Sequence, residues 1–205
     1  MMNQNKRPIC VTGCGSSGTA YISAVLRTCG LDVPHEKMGA DGIASWLLAP
    51  GTPDTLPGFD DFPARPIVLH QVRHPLRAVS TFQRTDGKHW DYIYRHMPTI
   101  TPDMPLIERC MRYWVEWNDM AAGLAEWTYR VETVCEWANW KRFCLTLQRH
   151  GLVDKRHLAL GVPVNVNSKP KPGWYRELSW ADLVAADGAL ARVIMGMGRK
   201  YGYAI

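Results

Sequence analysis

A glycine-rich turn between a short apolar run and an amphipathic helix is the feature that most constrains the fold. Residues 9–11 are apolar, and the segment TGCGSSGT follows at residues 12–19. Apolar residues then recur at helical spacing, and Gly30 is expected to end the helix. A strand that runs through glycines into a helix predicts an anion site, because the first free N–H groups of the helix and its dipole face the turn.

The turn by itself fits several kinds of site. Gly13, Gly15 and Gly18 match the GxGxxG pattern of dinucleotide-binding proteins. The segment also matches most of a Walker A motif, but Thr19 and Ala20 stand where the phosphate-binding Lys and the Mg²⁺-binding hydroxyl belong. A third interpretation is a loop whose amides and hydroxyls hold a phosphosulfate without Mg²⁺. A fourth is a turn that merely packs the helix on the strand.

The rest of the chain alternates between strand and helix patterns. Further strands are predicted at residues 31–33, 67–72 and 129–132, and Pro75 is expected to open a helix after the third strand. More helices are predicted from Pro105, over residues 136–148, and from Ser179. This alternation predicts one α/β domain over residues 1–205, with a mainly parallel central sheet flanked by helices on both faces.

A second candidate anion motif follows the third strand. The segment RHPLRAVS at residues 73–80 places Arg73 at the strand end and Ser80 in the next helix, with Pro75 fixing the turn between them. A guanidinium offers a forked set of donors that suits a phosphate, and a hydroxyl can add another donor. The spacing predicts that Arg73 and Ser80 converge on one phosphate.

The two motifs together resemble the sulfotransferases that use 3′-phosphoadenosine-5′-phosphosulfate (PAPS). LDVPHE at residues 31–36, RYWVEWN at 112–118 and YRVETV at 129–134 resemble further segments of that family. The resemblance implies a P-loop NTPase-like three-layer fold and no metal. It also implies that the 5′-phosphosulfate is held by Gly15, Ser16, Ser17, Gly18, Thr19 and Ala20. Arg73 and Ser80 would hold the 3′-phosphate, and a basic loop with Asn167 and Lys169 would close over the nucleotide.

The resemblance also implies a catalytic base and an acceptor. Glu36, just past the predicted second strand, is the first candidate to take the proton of an acceptor hydroxyl, and His35 is the second. The acceptor class is a carbohydrate or a small molecule. Acceptor-binding loops are expected at residues 38–64 and 84–104.

One position departs from the family pattern. Ser16 stands where many sulfotransferases have a Lys or Arg that stabilises the leaving group. The cations that could replace it from another element are Lys37, Arg77, Arg84 and Lys88. The alternative is a nucleotide-binding protein of the same fold without efficient catalysis. An NAD(P) oxidoreductase is less favoured, because no clear ribose-binding acid follows the second predicted strand and the segment at residues 73–80 stays unexplained. A P-loop kinase is less favoured because of Thr19 and Ala20.

Composition disfavours nucleic-acid-binding, membrane, secreted and zinc-binding proteins. The net charge is +5 without any run of Lys or Arg, which disfavours a nucleic-acid-binding arm and suits a small anionic ligand. No stretch of 18 apolar residues occurs, and the N-terminus lacks the apolar segment of a secretory signal. The six cysteines form no CxxC pair, so they predict reduced thiols rather than zinc ligands. A cytoplasmic protein is expected.

Overall fold

A four-stranded, all-parallel sheet forms the centre of the protein. The computed structural model describes residues 7–51, 66–152, 173 and 175–205. The strands are β1 (Ile9–Thr12), β2 (Gly42–Ala44), β3 (Ile67–Val72) and β4 (Trp127–Arg130), and they lie in the order β2-β1-β3-β4. The predicted α/β class with a parallel sheet is confirmed.

Helices cover both faces of the sheet, as a parallel sheet requires. In chain order the helices are α1 (Thr19–Thr28), α2 (Pro75–Phe82), α3 (Gly87–His96), α4 (Leu106–Leu124), α5 (Trp137–Arg149), α6 (Trp180–Ala186) and α7 (Gly188–Lys200). Side chains of α1 and α5 form one core with β1, β3 and β4. The other five helices share the second, aromatic-rich core on the opposite side.

The tryptophans show where helical spacing predicts burial and where it does not. Trp114 and Trp117 of α4 are fully buried, as their spacing indicates. Trp140 of α5 is also buried, but Trp137, three residues earlier, is 73% exposed. Trp137 is the first residue of α5, where the helix begins.

The second strand is not where the sequence predicts it. Residues 31–33 lie outside the sheet, and Gly42–Ala44 pairs with β1 instead. Leu31 and Val33 are apolar because they are buried in the core beside α1, not because they belong to the sheet. A three-residue strand that begins with glycine carries too little periodicity to be recognised.

Two other predictions need correction. The fourth strand is Trp127–Arg130, two residues earlier than expected. Part of the segment predicted as an acceptor loop, residues 84–104, is helix α3. Asp86 caps this helix by accepting a hydrogen bond from the amide of His89, and Trp90 and Ile93 are buried beneath it.

The remaining elements agree with the sequence. Pro75 is the first residue of α2, and Ser179 caps α6 in a reciprocal capping box with Asp182. Most of the proline-rich loop at residues 49–66 and nearly all of the basic loop at 161–174 lie outside the described residues. Among the helices of the described ranges, none has the length and apolar character needed to cross a membrane.

Gly42 provides a test of the sheet assignment. A Cβ atom at this position would lie 1.9 Å from the carbonyl oxygen of Ile9, and the φ angle is +138°. We expect Gly42→Ala to lower the free energy of unfolding by about 2 kcal/mol or more, since it combines overpacking with an unfavourable backbone conformation. The measurement is urea unfolding.

Gly123→Ala is the matched control. A Cβ atom on Gly123, within α4, meets nothing within 4 Å. Alanine is the better helix former, so this variant should gain about 0.5–1 kcal/mol. Equal stabilities of the two variants would contradict the pairing of β2 with β1.

Candidate anion-binding site

The order of the strands creates a crevice between the ends of β1 and β3. The chain goes from β1 to β2 on one side and then to β3 on the other side of β1. In open α/β sheets, ligands bind at such a switch point, outside the carboxyl ends of the strands. The glycine turn (residues 13–18) follows β1, and Arg73 follows β3. The two predicted anion motifs therefore meet at one crevice.

Glycines allow the turn to lie tightly against its neighbours. A Cβ atom on Gly13 would be 2.1 Å from the carbonyl oxygen of Gln71, and one on Gly15 would be 2.6 Å from the Phe82 ring. Gly18 begins α1 with a φ angle of +94°, and Ser16 also has a positive φ of 64°. The glycine turn is thus a closely packed element that directs its backbone toward the crevice.

Several amides of the turn have no partner. The amide of Gly15 donates to the Tyr113 hydroxyl at 2.5 Å, and that of Ser17 donates to the carbonyl of Cys14 at 3.1 Å. Among residues 15–20, the amides of Ser16, Gly18, Thr19 and Ala20 make no hydrogen bond with the described residues. The Ser17 hydroxyl is also buried without a partner among these residues. An anion in the crevice would satisfy such donors.

Arg73 brings positive charge to the same place. Its Nη1 donates to the carbonyl oxygen of Ser16 at 2.9 Å, and the residue is half-buried. No carboxylate of the described residues forms an ion pair with it. A guanidinium that is partly withdrawn from water and not neutralised attracts an anion more strongly than a fully exposed one.

Ser80 does not join Arg73 at the crevice. The residue is buried, and its hydroxyl donates to the carbonyl of Leu76 at 2.5 Å and accepts from the amide of Leu178 at 2.8 Å. Both contacts hold protein segments together. The expected convergence of Arg73 and Ser80 is therefore not observed, because α2 turns Ser80 toward the core.

The two candidate bases lie beside the start of α1. Nε2 of His35 is 3.0 Å from the Thr19 hydroxyl and 3.6 Å from a carboxylate oxygen of Glu36. His35 reaches this position because it pairs with Ala44, the last residue of β2, although its own segment is not a strand. Burial lowers the pKa of His35 below its usual 6.5, and the nearby Glu36 carboxylate opposes that shift. His35 is thus the candidate that contacts the anion site directly.

The predicted substitutes for a cation at Ser16 are Lys37, Arg77, Arg84 and Lys88. Lys37, Arg77 and Lys88 are exposed, and Arg84 lies over the ring of Tyr175 at 5.1 Å. Arg73 is the cation whose contact with the glycine turn is defined. Asn167 and Lys169 lie outside the described residues. No group of three or more metal-ligating side chains occurs in the described ranges.

The structure also identifies supporting residues that sequence reasoning missed. They are Gln71, Tyr113, Asn118 and Tyr129, which contact the turn directly or through one another. Tyr113 and Asn118 lie on the buried side of α4, but helical spacing does not indicate that a polar atom there meets a backbone amide.

Cys14 is not a nucleophile in this arrangement. It lies within the turn, is buried, and its pKa is raised by burial to about 12. A protonated, inaccessible thiol has no reactivity toward an electrophile. All six cysteines are unpaired.

Comparison with known proteins gives no family. A scan against protein-family models matched none, and a search of curated proteins found no significant match.

His70 beneath the turn predicts a pH dependence of stability. It is fully buried between Thr128 and Asn118, and burial lowers its pKa to about 4. Between pH 6.5 and 4 the unfolded chain binds a proton that folded His70 does not. The free energy of unfolding should therefore fall as the pH falls through this window, by up to about 3 kcal/mol from this group.

The measurement is urea unfolding at a series of pH values. His70→Gln removes the titrating group, so the variant should lose less stability than the wild type between pH 6.5 and 4. Lys141→Gln, at an exposed position on α5, is the control and should keep the wild-type slope. Identical slopes in His70→Gln and the wild type would show that His70 does not titrate as its burial requires.

Proposed function

We propose that the protein is a cytoplasmic PAPS-dependent sulfotransferase with a P-loop NTPase-like fold, which transfers a sulfuryl group to a hydroxyl of a carbohydrate or small molecule. The observation that carries the proposal is the contact of Arg73 Nη1 with Ser16 O, beside four amides (Ser16, Gly18, Thr19 and Ala20) that have no partner among the described residues. This arrangement suits a ligand with anionic groups at two places, one on the turn and one on Arg73.

The competing nucleotide sites fit less well. In the Rossmann strand order the neighbours of the first strand are the second and the fourth, whereas here β1 lies between β2 and β3. The acid that binds a dinucleotide ribose is also missing after β2, where Ser45 and Trp46 follow. A kinase would need the Walker A Lys and the Mg²⁺-binding hydroxyl that Thr19 and Ala20 replace.

The proposed reaction is an in-line displacement at sulfur. PAPS supplies the sulfuryl group: a bond from the acceptor oxygen to sulfur forms, the bond from sulfur to the 5′-phosphate oxygen breaks, and the bisphosphate leaves with that electron pair. The amides of Gly18, Thr19 and Ala20 would stabilise the charge that develops on the 5′-phosphate, because they are already aligned before the reaction. Arg73 would hold the 3′-phosphate with donors that Ser16 does not use.

The proton of the acceptor hydroxyl would go to His35. The sequence favours Glu36, but the geometry favours His35, because His35 contacts Thr19 at the start of α1. Its lowered pKa keeps the imidazole neutral at neutral pH and able to accept a proton. Glu36, whose side chain is 39% exposed, would stabilise the imidazolium that forms.

The alternative is a protein that binds the bisphosphate without efficient catalysis. Ser16 favours this alternative, since it provides no cation at the bridging oxygen. The amides of Gly18, Thr19 and Ala20 favour catalysis, since they have no partner among the described residues and would stabilise the leaving group. Turnover of PAPS with a panel of hydroxyl acceptors distinguishes the two.

Arg73→Ala tests the nucleotide assignment. Losing a charged hydrogen-bond partner costs about 1.5–3 kcal/mol, so the Kd of 3′,5′-bisphosphoadenosine should rise about 10- to 150-fold. The Kd of 5′-AMP should change much less. Calorimetric titration in excess chelator makes the measurement and also tests whether binding is independent of metal.

Arg149→Ala is the matched control. It removes the same charge from an exposed position on α5 and should leave both affinities unchanged. Equal weakening of the two ligands by Arg73→Ala would remove Arg73 from the 3′-phosphate. No binding of the bisphosphate by the wild-type protein would refute the proposed function.

His35→Gln and Glu36→Gln together identify the base. General-base catalysis contributes about 10²–10⁴-fold, so His35→Gln should lower kcat by that range and leave bisphosphate affinity nearly unchanged. Wild-type kcat/KM should fall only as the pH drops below 6.5, because the pKa of His35 is lowered. A larger loss in Glu36→Gln than in His35→Gln would assign the base to Glu36.

A further inference from the structure

We propose that Gln71, held in place by Tyr129, is a positioning residue that orients the peptide between Ser17 and Gly18 so that the Gly18 N–H faces the anion. The inference deepens the proposed function and rests on its anion site, but it does not depend on which nucleotide or oxyanion binds there.

The contacts form a short buried chain. Gln71 of β3 is fully buried, and its Nε2 donates to the carbonyl oxygen of Ser17 at 2.9 Å. Its Oε1 accepts from the Tyr129 hydroxyl of β4, also at 2.9 Å. Both ends of the Gln71 amide are therefore engaged, and the Ser17 carbonyl is drawn toward the sheet.

Because the peptide is planar, the hydrogen bond to the Ser17 carbonyl also fixes the direction of the Gly18 N–H. In a trans peptide the C=O and the N–H of the next residue point in opposite directions, and the described backbone has no cis peptide. The bond to Ser17 O therefore directs the Gly18 N–H away from Gln71. That amide is one of those without a partner among the described residues.

Tyr129 determines which end of the Gln71 amide faces the turn. Its hydroxyl donates to Oε1, which leaves Nε2 for Ser17. A flipped amide would place Oε1 against the Ser17 carbonyl, and two acceptors would then repel each other. Burial raises the pKa of Tyr129, so the hydroxyl remains a donor throughout the working pH range.

The alternative is that Gln71 only satisfies buried groups and contributes to stability. Such a role would lower stability when Gln71 is replaced but would leave the response of the Gly18 amide to an anion unchanged. The position of the Gly18 amide resonance therefore separates positioning from stability.

The experiment titrates inorganic pyrophosphate into isotope-labelled full-length protein and follows the amide resonances of the turn. In the wild type the Gly18 resonance should shift on binding. Gln71→Met, which keeps the side-chain length without hydrogen bonds, should weaken pyrophosphate at least about tenfold and reduce the Gly18 shift. Tyr129→Phe should also weaken pyrophosphate binding and reduce the Gly18 shift, but to a smaller extent. In that variant Gln71 is still present, but its side-chain amide is no longer held in one orientation.

Tyr92→Phe is the control. Tyr92 is also buried, and its hydroxyl donates to the carbonyl of Leu47 at 2.8 Å, in another part of the fold. This variant should lose stability as Tyr129→Phe does and yet bind pyrophosphate with wild-type affinity and the wild-type Gly18 shift. If Gln71→Met does not fold, the pyrophosphate affinity and the Gly18 shift of Tyr129→Phe test the proposal in its place.

The proposal is overturned if the Gly18 amide resonance of the wild type does not shift when pyrophosphate is added. It is also overturned if Gln71→Met shows the wild-type affinity and the wild-type Gly18 shift. If Gln71→Met does not fold, the same result in Tyr129→Phe overturns it. The bisphosphate titration is a separate test. A protein that binds pyrophosphate at Gly18 but not 3′,5′-bisphosphoadenosine would refute the nucleotide proposal and leave the role of Gln71 intact.

Discussion

The parallel pairing of β1 with β3 places the glycine turn beside Gln71 and Arg73. Their register runs from Ile9 with Ile67 to Thr12 with His70, so β3 continues for two residues beyond the end of β1. The turn after β1 therefore meets the last residues of β3 and the turn that follows it. Gln71 and Arg73 bond to consecutive carbonyls, those of Ser17 and Ser16. The site depends on this register, because a shift by one residue would exchange the faces of the sheet.

The glycine turn is supported from both sides of the sheet. Gln71 approaches it from the layer of α1, whereas Tyr113 and Asn118 approach it from α4. Buried polar groups of this kind cost free energy when unpaired and favour a single arrangement when paired. The amides without a partner among the described residues are thus those at the crevice, while the amides of Cys14 and Gly15 on the core side are satisfied.

The sequence predicts those parts of the fold that local patterns determine. The apolar run of β1, the glycines, and Pro75 at the start of α2 each have a local cause, and the structure places them as expected. The second strand was misplaced because Leu31 and Val33 are buried for tertiary reasons. Ser80 was expected at the anion site because spacing along a helix gives a residue's position but not the groups around it. Gln71 and Tyr129 could not be found from spacing, since their role depends on contacts between strands.

The buried thiol of Cys14 makes opening of the glycine turn measurable by chemical modification. Its thiol lies at the bend of the turn, is shielded from solvent and is almost entirely protonated at neutral pH. An alkylating reagent can reach it only when the turn opens, so the rate of its modification measures the frequency of that opening. Cys10, Cys110 and Cys144 are equally buried and report on opening of the cores, whereas Cys135 is partly accessible without it. The protein thus carries thiols that distinguish a local opening of the crevice from unfolding of the whole chain.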